Sequence, residues 1–101
     1  MPKYSLRMLR RDILVTLAYV PYSPFRLKAI LNALRPTGYD DLTEPTLDAQ
    51  IKYLEEKGYV KTEKSKNFVT EEEISLVTLT ARGDDLLRGY GPADPGVQCG
   101  P

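Results

Sequence analysis

The 101-residue sequence contains no histidine. With histidine go the usual general base, the commonest metal ligand and every histidine-containing triad. A single cysteine, Cys99, rules out an intramolecular disulfide and cannot alone hold a structural zinc. Net charge is missing too: 14 Lys+Arg balance 14 Asp+Glu, so affinity for a polyanion has to come from local clusters. The longest nearly apolar run, residues 13–20, is far too short to span a bilayer. Met1-Pro2-Lys3 opens into a charged helical pattern with no secretory signature, and no internal repeat is present. What remains, 42% hydrophobic and 28% charged residues, is the composition of one small folded domain. The expectation is a cytoplasmic binding domain, not an enzyme, with no metal, no cofactor and no membrane partner.

The apolar spacing predicts three helices in succession. Over residues 5–19, Leu6, Leu9, Ile13, Leu17 and Val20 recur at steps of three and four, and Pro21 stops the helix. Ser23-Pro24 starts a second helix as cap and first-turn proline, with Leu27, Ile30, Leu31 and Leu34 inward and Pro36-Thr37-Gly38 at its end. Thr43 caps the third, with Pro45 in its first turn and Leu42 and Leu47 spaced as a hydrophobic staple. Leu47, Ile51 and Leu54 form the inward stripe, and Gly58 suits a left-handed exit. The period then falls towards two. Residues 59–63 and 74–79 read as strands, joined by a long polar loop over 64–73 whose only apolar spot is Phe68-Val69. Thr80 caps a short last helix through Arg88, with Leu86 and Leu87 packing back. Residues 89–101 hold four glycines and three prolines and read as an extended or disordered tail on a 1–88 domain.

This order predicts an α+β, mainly α fold: a winged helix-turn-helix with three helices, a two-stranded β wing and a short C-terminal helix. Two stretches carry a resemblance. Leu54-Glu55-Glu56-Lys57-Gly58-Tyr59-Val60, following residues 46–53, resembles the end of the recognition helix and first wing strand of MarR-type and PadR-type bacterial regulators. Leu79-Thr80-Ala81-Arg82-Gly83-Asp84-Asp85-Leu86-Leu87 resembles the Leu-Thr-x-x-Gly-x-x-Leu-Leu segment that closes their wing. The run 41–46, with Pro95-Gly96-Val97, is also similar to small winged-helix proteins of Mu-like phages and prophages, which implies a phage or bacterial origin. Regulators of this kind commonly dimerise through helices at the chain ends. Here the last helix spans about two turns, so that interface is absent or replaced.

The resemblance implies double-stranded DNA as partner, with the third helix in the major groove and the wing on the backbone or minor groove. With Leu47, Ile51 and Leu54 inward, Thr46, Asp48, Ala49, Lys52 and Tyr53 fall on or near the outward side, and Gln50 lies on the border. Thr46, Lys52 and Tyr53 suit phosphate, Gln50 adenine and Asp48 a cytosine amino group. In the wing, Lys61, Lys64, Lys66 and Asn67 suit phosphate. Charge along the chain opposes this. Residues 1–35 carry seven basic residues against Asp12 alone, whereas residues 36–60 carry six acids against Lys52 and Lys57. Asp40, Asp41, Glu44 and Asp48 thus repel phosphate beside the reading helix, and Glu71-Glu72-Glu73 would do so at a wing tip. The other reading is a protein-interaction winged helix, an adaptor or assembly factor whose oppositely charged segments also favour self-association. The blander explanations are solvated surface for the charge runs, core-edge packing for Tyr19, Tyr22 and Tyr39, and an incidental thiol for Cys99.

Overall fold

The computed structural model describes residues 4–20, 22–66 and 68–98. Pro21, Asn67 and Cys99, named above as helix stop, wing contact and thiol, lie outside the described residues.

Helix α1 (Leu6–Ala18) starts where Ser5 accepts a hydrogen bond from the Met8 amide. It buries Leu9, Ile13, Leu14 and Leu17 completely against α2, α3, α4 and the sheet, each worth about 2 kcal/mol in apolar burial. The helix ends before Val20, which is half-exposed and not part of the stripe. Tyr19 and Tyr22, expected at the core edge, also stand out in solvent. Tyr39 is buried instead, and its hydroxyl donates to Asp12.

The second helix begins later than Ser23-Pro24 suggests. Phe25–Arg26 forms a short strand, β1, and α2 (Leu27–Leu34) follows with Arg26 as an extended cap. The cause is tertiary: Phe25 and Arg26 pair with Val77 and Leu76, so ladder bonds replace one more helical turn. A 3-10 turn (Arg35–Thr37) leads to Gly38, whose φ of 110° only glycine adopts readily.

Helix α3 (Glu44–Glu56) is capped by Thr43, which accepts from the Thr46 amide, and Leu42 and Leu47 are both buried at its start. Strands β2 (Val60–Lys66) and β3 (Glu73–Leu79) pair antiparallel from Val60↔Leu79 to Lys66↔Glu73. The ladder runs past the apolar residues because backbone pairing makes no demand on side chains. Of the expected 64–73 loop, residues 64–66 and 73 thus belong to strands. The sheet has three strands in the order β1-β3-β2, not two.

The two motifs behind the resemblance meet in space. Thr80 accepts from the Gly83 amide, capping α4 (Ala81–Arg88), and its own hydroxyl donates to the Gly58 carbonyl at 2.6 Å. Its amide donates to the Tyr59 carbonyl at 3.1 Å. Gly83 is buried here: a Cβ would lie 2.2 Å from the Tyr59 oxygen, so no other residue lets α4 approach this closely.

Residues 89–98 have no helix or strand, yet they do not trail away. Val97 joins the core, Asp94 is buried, and the Gln98 amide donates to the Arg7 carbonyl. Glycine and proline content marked a segment without regular structure, but it gave no hint of Val97 and Asp94 as anchors. Among the described residues, no helix is long and apolar enough to cross a membrane. The chain is thus an α+β, mainly helical winged helix.

Candidate nucleic-acid interface

The third helix presents its six candidate residues in three directions. Each helical step turns 100°, so Gln50, three residues after Leu47 and four before Leu54, falls on the inward stripe. It is 8% exposed, and its side-chain oxygen accepts from Arg10 Nε at 2.9 Å. An adenine reader at this position would have to abandon that bond, so Gln50 serves the interior. Tyr53 is half-buried on the same flank. The Arg10 guanidinium lies 3.9 Å from its ring centroid and its hydroxyl donates to Asp94. Thr46, also half-buried on this side, receives a hydrogen bond from Thr43 Oγ1. Of the six, Ala49 and Lys52 are solvent-exposed, on an arc that Pro45 and Glu56 share. Asp48 leans towards the wing and pairs with Lys52 at 3.2 Å.

A groove separates α3 from the wing, with Asp48, Lys52 and Glu55 on one wall and Thr62, Lys64 and Ser75 on the other. Glu55 closes its base by accepting from the Thr62 amide and hydroxyl. Strand alternation puts Lys66 on the same ribbon face as Thr62 and Lys64. Lys61 does not line the groove; it lies 4.0 Å from Glu63, which does. Lys64 is paired with Glu73 at 3.4 Å, whereas Lys66 makes no ion pair among the described residues.

Two cations belong here that the sequence reading passed over. Arg26 and Lys28 line a second cleft with Glu44, Glu72, Glu73 and Ser75, where the start of α2 meets α3 and the wing. Only the pairing of β1 with β3 brings them there, although the basic excess of the first third was the available signal. The arginines of α1 go elsewhere. Arg10 is held by Gln50, by Tyr53 and by the Gly96 carbonyl, and Arg11 lines a small cavity of about 180 Å³ with Leu86, Leu87 and Val97.

The far flank of α3 is thereby locked to the C-terminal segment. Asp94 accepts from Tyr59 at 2.8 Å, Tyr53 at 3.1 Å and the Gly96 amide at 2.7 Å. Burial pushes its carboxyl pKa up, but these three donors and nearby Lys57 outweigh burial and leave it below the ordinary value. Gly96 packs so close to the end of the Tyr53 side chain that a Cβ would sit 1.9 Å from its hydroxyl oxygen. Tyr59, for its part, has a raised pKa through burial and its bond to Asp94.

The two grooves share Leu27 and Ser75 and bring Lys52, Lys64, Arg26 and Lys28 to one side of the molecule, with Glu44, Asp48, Glu55, Glu63, Glu72 and Glu73 among them. The cation pairs there are exposed, and such pairs contribute about 1 kcal/mol or less, so incoming phosphates can displace them.

No family model matches this sequence, and no curated protein matches it. Solved structures do match. A candidate transcriptional regulator from Thermoplasma acidophilum superposes with a TM-score of 0.69 at 19% identity, over 82% of this chain and 76% of that one. A transcriptional regulator homologue from Pyrococcus horikoshii matches at 0.63 and 26% identity, over 81% and 71%. PadR of Bacillus subtilis, solved in complex with operator DNA, matches at 0.67 and 18% identity, over 92% of this chain and 54% of PadR. This chain therefore spans about half the length of that DNA-bound protein. These likenesses establish the winged-helix fold.

Proposed function

We propose that this chain is a DNA-binding winged-helix regulator of transcription, acting in the cytoplasm without catalysis of its own. Helix α3 enters the major groove with Ala49 and Lys52 foremost, and the wing sets Lys64 and Lys66 on the backbone. Arg26 and Lys28 hold phosphates at the near side. The observation that carries this reading is the shared face: Arg26 of β1, Lys28 of α2, Lys52 of α3 and Lys64 of the wing border two grooves that share Leu27 and Ser75, among six carboxylates that phosphate would have to displace. The same fold, in Bacillus subtilis PadR, is found on operator DNA. The similarity to proteins of Mu-like phages rests on its short sequence stretches alone, and the proposal does not draw on it.

The test is binding to mixed duplex DNA across a salt series. Affinity falls steeply as salt rises, because each phosphate contact releases counterions. Lys52→Glu combined with Lys64→Glu abolishes binding. A wild-type protein that binds no duplex at low salt refutes the reading. One specific observation favours the rival in that event: Asp48, Glu63 and Glu73 already neutralise Lys52, Lys61 and Lys64. Such a neutralised face suits a protein partner, and the chain would then act as an adaptor.

A further inference from the structure

Between α1, α4 and the segment that follows α4 lies the cavity of about 180 Å³ to which Arg11 contributes. The DNA-binding reading makes no use of it. Its walls combine three kinds of chemistry. Leu86, Leu87 and Val97 supply aliphatic surface, Arg11 a cation and Asp94 a carboxylate, with Gln98 beside them. We propose that this cavity binds a small aliphatic α-amino acid as its zwitterion. The site shares no lining residue with the grooves of α3 and the wing, so it stands whether or not the chain binds DNA.

Size sets the first limit. A cavity of about 150 Å³ holds benzene, which has six non-hydrogen atoms. At the same filling, 180 Å³ holds about seven, which matches an amino acid with a two- or three-carbon side chain. Charge sets the second limit. A simple carboxylate would meet Asp94 as well as Arg11, and a simple amine would meet the reverse mismatch. A zwitterion offers each wall its opposite charge, and its short side chain lies on the aliphatic surface. Burial works against the charge of Asp94, but its donors outweigh burial and keep it ionised at neutral pH. Availability is the third point. Asp94 is 7% exposed, and its Oδ1 accepts from Tyr53 and from the Gly96 amide. Its Oδ2 accepts from Tyr59 alone among the described residues, which leaves room for one more donor. Arg11 makes no hydrogen bond among the described residues, and its ion pair with Asp12 is long, at 3.9 Å. Its guanidinium can therefore receive a carboxylate without giving up a close partner. Gly91 and Ala93, on the remaining wall, are exposed and give a way in.

The test is titration of the full chain, followed by calorimetry and by amide NMR shifts. The probes are L-valine, isovalerate (valine without its ammonium) and isobutylamine (valine without its carboxylate). L-Valine binds with a Kd of about 1 mM or tighter, well within what so small a ligand can supply. Each analogue binds at least about tenfold more weakly, because one charge-assisted contact is gone. The amide shifts fall on residues 86–98 and around Arg11, not on the wing. Arg11→Met keeps the aliphatic stem and the wild-type Tm, since the native side chain has no close partner to lose. The variant weakens L-valine about tenfold and leaves isobutylamine unchanged. An analogue bound as tightly as L-valine overturns the zwitterion. Wild-type affinity for L-valine in Arg11→Met overturns the site, because the ligand then sits elsewhere. So does a wild-type chain that shows neither heat nor amide shifts up to about 10 mM L-valine.

Discussion

Asp94 shows how much a single side chain can organise. Its carboxylate ties together Tyr53 from α3, Tyr59 from the start of the wing and the Gly96 amide, across separations of 41 and 35 residues to the two tyrosines. No local pattern announces such a residue. In the sequence it is one acid in a Gly/Pro-rich stretch, and its role exists only once its partners have been brought together. Its depressed pKa makes a testable statement about stability. The unfolded chain binds a proton at Asp94 near pH 4, before the folded chain does. The contribution is therefore complete above about pH 4 and is lost as pH falls from there. Asp94→Asn should lower stability near neutral pH by about 2 kcal/mol, the worth of hydrogen bonds to a charged acceptor. It should also flatten the acid limb of a Tm-against-pH profile. The raised pKa of Tyr59 works on the alkaline side. Its contribution is present below about pH 10 and is lost as pH rises beyond, because the unfolded tyrosine ionises first. Tyr59→Phe should remove that alkaline loss. Gln50 makes the complementary point. Its border position was legible from helical spacing, but its burial needed Arg10, forty residues away, as a partner.

At the scale of elements, helix caps and turn residues were the most legible features. Thr43 and Thr80 each cap the helix that follows them, as expected, and Gly58 leaves α3 with a left-handed φ of 82°. These signals work because a cap satisfies its own helix within three residues, with no help from elsewhere. The expected Ser23 cap, however, gives way to Arg26, and the cap at Ser5 was not singled out. Strand limits were less legible. The polar stretch 64–66 and the short β1 are strands only because β3 offers them a ladder. Gly83 joins the two kinds of feature. It sits in a recognisable motif, yet the reason for a glycine is the Tyr59 carbonyl against which α4 packs. Gly83→Ala should cost about 3 kcal/mol through overpacking against backbone that cannot yield. A thermal melt should show Tm lowered by more than 10 °C, at about 4–8 °C per kcal/mol in a domain of this size. Gly89→Ala, at φ 78° with open space around it, should cost only about 1 kcal/mol.

For the whole molecule, the decisive quantity is where charge goes. The basic first third and the acidic remainder cancel in total, but folding sends four of the seven basic residues of the first third to two different places. Arg10 and Arg11 turn to the C-terminal segment and the cavity beside it, while Arg26 and Lys28 come to the cleft next to the wing. The candidate face thus gathers Arg26, Lys28, Lys52 and Lys64, but Glu44, Asp48, Glu55, Glu63, Glu72 and Glu73 line the same two grooves and outnumber them. Removing one of those acids should sharpen it. Glu73→Gln frees Lys64, and DNA affinity at low salt should rise about threefold to fivefold. The salt slope should steepen by roughly one as an additional phosphate contact forms. An unchanged slope would mean that Lys64 stays clear of the backbone.

Helix spacing, caps and the order of elements were already written in the chain, because each depends on residues a few positions apart. They suffice to specify a winged helix. They do not specify the composition of the candidate face. Whether Gln50 and Tyr53 look outward or inward, and whether Arg10 or Arg26 stands beside α3, depends on segments tens of residues distant. So does the fate of the last described residues, which the glycines and prolines marked as irregular and which Asp94 and Val97 anchor to the core. Local spacing sets the direction a side chain leaves its helix; only packing determines what it meets there.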